Sequence, residues 1–169
     1  MESALEHILT NCYKEEMIAF MHAHPEHFEE AIELAISDKQ PFSWRSAWLL
    51  WSIIQENDPR IQEHINNIIE ALGTKEDGHQ RELLKILLIM ELNEEDEGYL
   101  FNTCVTVWEQ IHKKPSVRFT AFKFILKIVK KHPDLYNEIG FLIQDQYLET
   151  LSPGVKHSIN KMIKEITPS

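Results

Sequence analysis

An all-α fold, a right-handed α–α superhelix of about four helix pairs with capping helices, is predicted for this chain by three features of its 169 residues. Prolines recur in register: Pro41 and Pro59 reappear further along as Pro115 and Pro133, with the same spacing inside each pair. The apolar residues recur with them. Ala47, Leu50, Trp51 and Ile54 fall where Ala121, Phe124, Ile125 and Ile128 fall, and Leu84, Leu87 and Leu88 lie midway between the first three of each set. A further unit opens at Pro153, half that shift beyond Pro115 to within one position. A helical period within the range of about 20–50 residues marks stacked repeats that bury their faces against their neighbours. Strand signals, the third feature, are weak: glycines number five, and Asp77-Gly78 precedes a helical pattern instead of joining alternating apolar residues.

The clearest helix is 115–131. Val117, Ala121, Phe124, Ile125 and Ile128 form one apolar stripe, and Phe119, Phe122, Leu126 and Val129 form a second beside it. Two stripes mean two packing partners, as a helix inside a stack requires. His132-Pro133 ends it, because a residue before proline avoids the helical region while proline suits the first position of the next helix. His24-Pro25 and Asp58-Pro59 mark further joints, with Asp58 an N-cap, and Leu72-Gly73-Thr74 a glycine stop. Asn93 caps a helix carrying Leu100, Cys104, Val107, Trp108 and Ile111. The expected pairs are 11–23 with 25–37, 41–56 with 59–72, 77–92 with 96–112, and 115–131 with 133–150. A short helix at 2–9 and a last one at 153–166 cap the array. The repeat units of this single domain are then about 11–37, 41–72, 77–112 and 115–150.

Composition narrows the function. Seventeen basic against 27 acidic residues leave a net charge of −10, which disfavours nucleic acid and anionic membranes as partners. Cys12 and Cys104 are too few for a disulfide framework or a thiolate zinc site. The opening MESALEHILTN has no basic region followed by an apolar run, and no stretch approaches the roughly 20 apolar residues of a membrane span. A cytoplasmic protein with reduced cysteines is expected. No nucleophile motif or phosphate-cradling glycine loop occurs, so neither an enzyme nor a cofactor is expected.

With its period, its helix pairing and its Asp58-Pro59-Arg60 and His132-Pro133-Asp134 turns, the chain resembles the HEAT-repeat and armadillo-like superfamily over about residues 11–166. Pro41, Pro115 and Pro153 depart from the usual pattern by opening a first helix instead of kinking it, and the third unit has Gly78 there instead. The resemblance implies a protein-binding module using the surface lined by the second helix of each pair.

Four groups of residues are candidate sites. His22, His24 and His27 are the densest set of metal-ligand types, but His24 lies in a turn, so convergence is not expected and no metal site is assigned. Trp44, Trp48 and Trp51 share one helix face, and the core reading is favoured over an exposed aromatic shelf. Residues 113–131 hold seven of the 17 positive charges, with Arg118, Lys123, Lys127 and Lys130 forming a basic patch that could serve phosphates, pair with Glu94, Glu95, Asp96 and Glu97, or face solvent. Polar residues on second helices, chiefly Glu97, Asn102, Glu109, Asp134, Asn137, Glu138 and Asp145, suggest an acidic inner face selecting a basic segment of a protein partner. Tyr99, Phe101, Tyr136 and Phe141 are aromatic anchors for it if exposed. The expected function is non-catalytic protein–protein interaction or scaffolding. The alternatives are a nucleic-acid-processing domain using 113–131 and a self-associating structural subunit.

Overall fold

A computed structural model describes residues 1–167, and every regular element among them is helical. The chain divides into two compact units, Met1–Glu91 and Leu92–Ser169. The first holds α1 (Ala4–Asn11), α2 (Lys14–Ala23), a 3₁₀ turn (Pro25–His27), α3 (Phe28–Ile36), α4 (Phe42–Ile53), α5 (Pro59–Gln62), α6 (Ile65–Leu72) and α7 (Asp77–Leu88). The second holds α8 (Glu94–Glu109), α9 (Pro115–Lys131), a 3₁₀ turn (Pro133–Leu135), α10 (Tyr136–Leu142), α11 (Asp145–Leu148) and α12 (Pro153–Ile166).

In the first unit α4 is the central element, packing on α1, α2, α3 and α7. Its buried face is Ser43, Ser46, Ala47, Leu49 and Leu50. Small residues there let α3 approach closely, and the Ser46 hydroxyl donates to the Ala31 carbonyl at 2.6 Å. The core expectation for the tryptophans is therefore corrected. Trp44 is 40% exposed, and Trp48 and Trp51 are half-buried, because the small-residue stripe and not the aromatic stripe faces the neighbours.

Asp58 caps α5 as expected, its carboxylate accepting from the Arg60 amide at 3.0 Å and from the Arg60 guanidinium at 2.8 Å. Asn57, with φ of 51°, adopts the left-handed conformation that asparagine tolerates. Its amide donates to the Ile89 carbonyl at 2.7 Å, which ties the α4–α5 loop to the end of α7. The expected helix 59–72 is two pieces, α5 and α6, and α6 ends at Gly73 without a left-handed cap. At that end the Gln80 side chain donates to the Leu72 carbonyl at 3.0 Å. His79 lies buried beside the Ala35 carbonyl, 2.6 Å away, and burial holds its pKa below the usual histidine value.

In the second unit α8 packs lengthwise on α9. Asn93 caps α8 by accepting from the Asp96 amide at 2.8 Å, and Glu94, Glu95, Asp96 and Glu97 crowd the positive end of its dipole. Leu100, Cys104, Val107 and Trp108 are buried, but Ile111 lies past the helix end and is exposed. Both apolar stripes of α9 are in use: Val117, Ala121, Phe124, Ile125 and Ile128 are buried, as are Phe122, Leu126 and Val129. Each of these side chains larger than Ala121 contributes on the order of 1.5–3 kcal/mol when fully buried.

Arg118 departs furthest from expectation. It is 0% exposed, so it is no part of a basic surface. Its guanidinium donates to the Trp108 carbonyl at 2.8 Å, the Tyr147 carbonyl at 2.6 Å and the Thr150 hydroxyl at 3.1 Å, and lies 4.6 Å from the Trp108 ring centre. Trp108 in turn donates its indole N–H to the Leu142 carbonyl at 2.7 Å. The indole donor needs an open carbonyl at 142, which a continuous helix over 133–150 would keep internal, whereas the Tyr147 carbonyl would fall in its last turn. The chain there is accordingly a 3₁₀ turn, α10 and α11.

Arg118→Ala should lower the unfolding free energy by about 3 kcal/mol, since it strands several buried acceptors, whereas Lys130→Ala on the exposed side of α9 should cost about 0.5 kcal/mol or less. Urea unfolding followed by circular dichroism distinguishes the two. The Arg60 guanidinium holds the Asp58 carboxyl at about 2, down from an ordinary 3.8. A depressed carboxylate stabilises the fold above its unfolded pKa, so that contribution is complete above about pH 4 and is lost as pH falls towards 2. Asp58→Asn should flatten this part of a stability-against-pH curve.

Candidate partner-binding site

The second unit carries an open cleft of about 640 Å³. Its walls are Glu94, Glu97, Gly98, Phe101 and Asn102 of α8, Ile128 of α9, and His132, Leu135 and Glu138 beyond it. The α8 residues recur at helical spacing on the edge next to the buried Leu100–Cys104 stripe, so the register that packs α8 on α9 also aims them into the cleft. Gly98 gives the wall its depth. A Cβ built there meets nothing within 4 Å, so the position is open space.

Glu97 is the best-fixed group. It is 7% exposed and bonds the Lys131 ammonium at 2.5 Å and His132 Nε2 at 3.3 Å. Burial alone would raise its pKa, but the bonds from Lys131 and His132 outweigh that and keep the carboxyl below the usual glutamate value. The expected pairing between the basic helix and the acidic start of α8 thus exists between Lys131 and Glu97. It also neutralises much of the Glu97 charge, leaving Glu94 and Glu138, both exposed, as the outward-facing carboxylates of the rim.

Of the residues expected to make an acidic face, Glu97, Asn102 and Glu138 meet in this cleft with Phe101. Glu109, Asp134, Asn137 and Asp145 are exposed but do not line it. Tyr99 and Phe141 are exposed aromatics, and Phe101 and Tyr136 are half-buried. Gly98, Ile128, His132 and Leu135 are the lining residues that sequence reasoning misses. Ile128 reads as core only, and nothing in a single sequence distinguishes a glycine that hollows a wall from one that merely sits in a helix.

The other candidates resolve individually. Lys123, Lys127 and Lys130 are exposed on α9, with Lys123 Nζ 4.6 Å from the Phe119 ring centre, and Arg118 is withdrawn from the patch. His24 and His27 flank the Phe20 ring at 4.7 and 5.2 Å and bond Glu26 and Glu30, while His22 stands apart on the surface. Glu29, Glu63 and His64 do converge, their ligand atoms within 4.8 Å, and the His64 ring bonds both carboxylates at this open surface. Cys104 is wholly enclosed, and burial pushes its thiol far up, so it holds no nucleophilic thiolate. Among the described residues no helix is long and apolar enough to cross a membrane.

Lys131→Ala should move the Glu97 titration upward, by removing its strongest partner. Carboxylate carbon shifts followed through a pH series by NMR report this directly, and an unmoved Glu97 would mean that the ion pair is not formed in solution.

Comparison with known proteins agrees with this architecture. No curated protein and no solved structure matches the chain. A family model described as HEAT repeat domain matches residues 1–166, nearly the whole sequence. Such domains generally mediate protein–protein interaction or scaffolding and are typically non-catalytic. The paired helices, the register of their apolar stripes and this match lead to one conclusion: the chain belongs to the HEAT-repeat family.

Proposed function

We propose that this protein is a non-catalytic cytoplasmic interaction module that takes a basic segment of a protein partner into the cleft of its second unit. The observation that carries the proposal is the composition of that cleft: the carboxylates of Glu94, Glu97 and Glu138 stand around the apolar surfaces of Phe101, Ile128 and Leu135. A lysine or arginine has the matching build, an aliphatic stem ending in a charged head. An apolar wall takes the stem while a rim carboxylate takes the head, and an aromatic such as Phe101 supplies an anchor. Asn102 offers both a donor and an acceptor to an incoming backbone. Glu109, Asp134, Asn137 and Asp145 lie outside the cleft. Their contribution is long-range: with the chain's charge of −10 they favour encounter with cationic partners and speed it at low salt.

The alternative is a nucleic-acid-processing role for α9. The exposure of Lys123, Lys127 and Lys130 favours it, but without Arg118 the patch is smaller, and a phosphate backbone would still meet an anionic protein.

Gly98→Leu should abolish binding of a fluorescein-labelled arginine- and lysine-rich peptide in an anisotropy titration, because the new side chain occupies the cleft. It should not lower the melting temperature, since the position is open space and leucine favours helix over glycine by roughly 0.5–1 kcal/mol. Glu94→Lys with Glu138→Lys should weaken binding by about tenfold or more and reduce its salt dependence. If binding survives these changes, or is lost only when Lys123, Lys127 and Lys130 are neutralised, the cleft is not the site.

A further inference from the structure

The first unit carries a surface of the opposite character. Trp44, Trp48 and Trp51 stand at i, i+4 and i+7 along α4, so they form one row on the side away from its buried small residues. A cation lies over each indole. Arg45 Cζ is 5.4 Å from the Trp44 ring centre, Lys14 Nζ of α2 is 5.7 Å from that of Trp48, and Lys85 Nζ of α7 is 5.9 Å from that of Trp51. Because α4 packs on both α2 and α7, cations from all three helices border the row. At its Trp44 end the face opens into a cleft of about 390 Å³ lined by Gln40, Trp44, Glu76, Gly78, His79 and Arg81.

From this arrangement we infer that the α2–α4–α7 face is a second docking surface, for an acidic segment of a protein partner. Such a segment would place carboxylates on Lys14, Arg45 and Lys85 and an apolar side chain in the cleft beside Trp44. Charge complementarity supports this occupant. Lys14, Arg45 and Lys85 over the indoles and Arg81 in the cleft are four cations beside this row in a chain whose net charge is −10, with Arg45 also donating to the Leu9 carbonyl at 2.8 Å and Arg81 paired with Glu82. Of the carboxylates close to them, Glu76 lies on the cleft rim, and Glu82 is buried behind Arg81 and Lys85 and bonds both. Held over an indole, each cation keeps its side chain extended along an apolar surface, which lowers the ordering cost of meeting a carboxylate. Half-exposed tryptophans paired with arginine and lysine are the composition of interface hot spots. A polyanionic nucleic acid fits less well, because a phosphate backbone needs uninterrupted neutralisation while Glu76 and Glu82 break this row. Gly78 deepens the cleft: a Cβ built on it meets nothing within 4 Å.

The test is an anisotropy titration of the full chain with a labelled peptide rich in glutamate and leucine. Alongside it run the same peptide with lysine for glutamate and a labelled oligothymidine. The acidic peptide should bind, and Lys14→Glu combined with Lys85→Gln should weaken it about tenfold or more. Lys14 opens α2, where a glutamate is welcome, so the variant should fold normally by circular dichroism. Gly78→Leu should block binding without unfolding the chain, and Gly98→Leu in the other unit should leave it unchanged, which separates this surface from the acidic cleft. Failure of the acidic peptide to bind, or binding that the Lys14, Lys85 and Gly78 variants leave intact, overturns the inference. So does tighter binding of oligothymidine that the same variants abolish, or a dimer that they abolish, since the face would then belong to nucleic acid or to a second copy.

Discussion

The carbonyl groups at the ends of buried helices set the terms for the rest of this structure. A helix leaves its last carbonyls without internal partners, and in a stack of helix pairs those ends lie against neighbouring elements and not in water. Here side chains reach in from the following helix. Ser43 at the start of α4 bonds Ser37, whose hydroxyl bonds the Leu34 carbonyl at the end of α3. Gln80 at the start of α7 serves Leu72 at the end of α6, and Arg118 at the start of α9 serves Trp108 near the end of α8. Ser43 and Gln80 keep the spacing of the apolar repeat, and Arg118 falls one position beyond it. A polar side chain thus stands at a similar place in three successive units, and it lengthens from serine to glutamine to arginine along the chain.

That progression explains what the sequence disclosed and what it hid. The apolar period, the bracketing prolines and the N-caps Asp58 and Asn93 were legible because each acts through residues close in the chain. Helices 115–131 and 153–166 have the expected bounds. The breaks within 59–72 and 133–150 were not legible, and at 142 the reason is distant: the Trp108 indole claims that carbonyl from the preceding pair of helices. Arg118 sits in a run of lysines, and no local signal separates an inward-pointing arginine from a solvated one. The tryptophan row failed differently. Helical spacing shows that three residues share a face but not which face, and Ser43 and Ser46 escape notice because small polar residues score poorly as core.

For the site, three of the residues chosen from composition share one cleft and the others do not. Glu97, Asn102 and Glu138 meet because the acidic residues of α8 and of the segment after α9 border a common hollow. Glu97 nevertheless has a structural duty that its charge alone did not suggest: it bonds the last turn of α9 and the histidine that ends it. Glu94 and Glu138 on the same rim are exposed, so buried and solvent-facing carboxylates stand side by side in one cleft wall.

Gly98 and Gly78 give this division a wider meaning. Each lies in the wall of a cleft, in a helix whose other face is buried, and each could accept a side chain without touching a neighbour. The other glycines of the chain are equally open, so what sets these two apart is their place in a cleft wall. They make the two hollows independently tunable: the shape of either can be redrawn one residue at a time while the scaffold beneath is untouched. A repeat protein built this way is a natural starting frame for grafting new specificities.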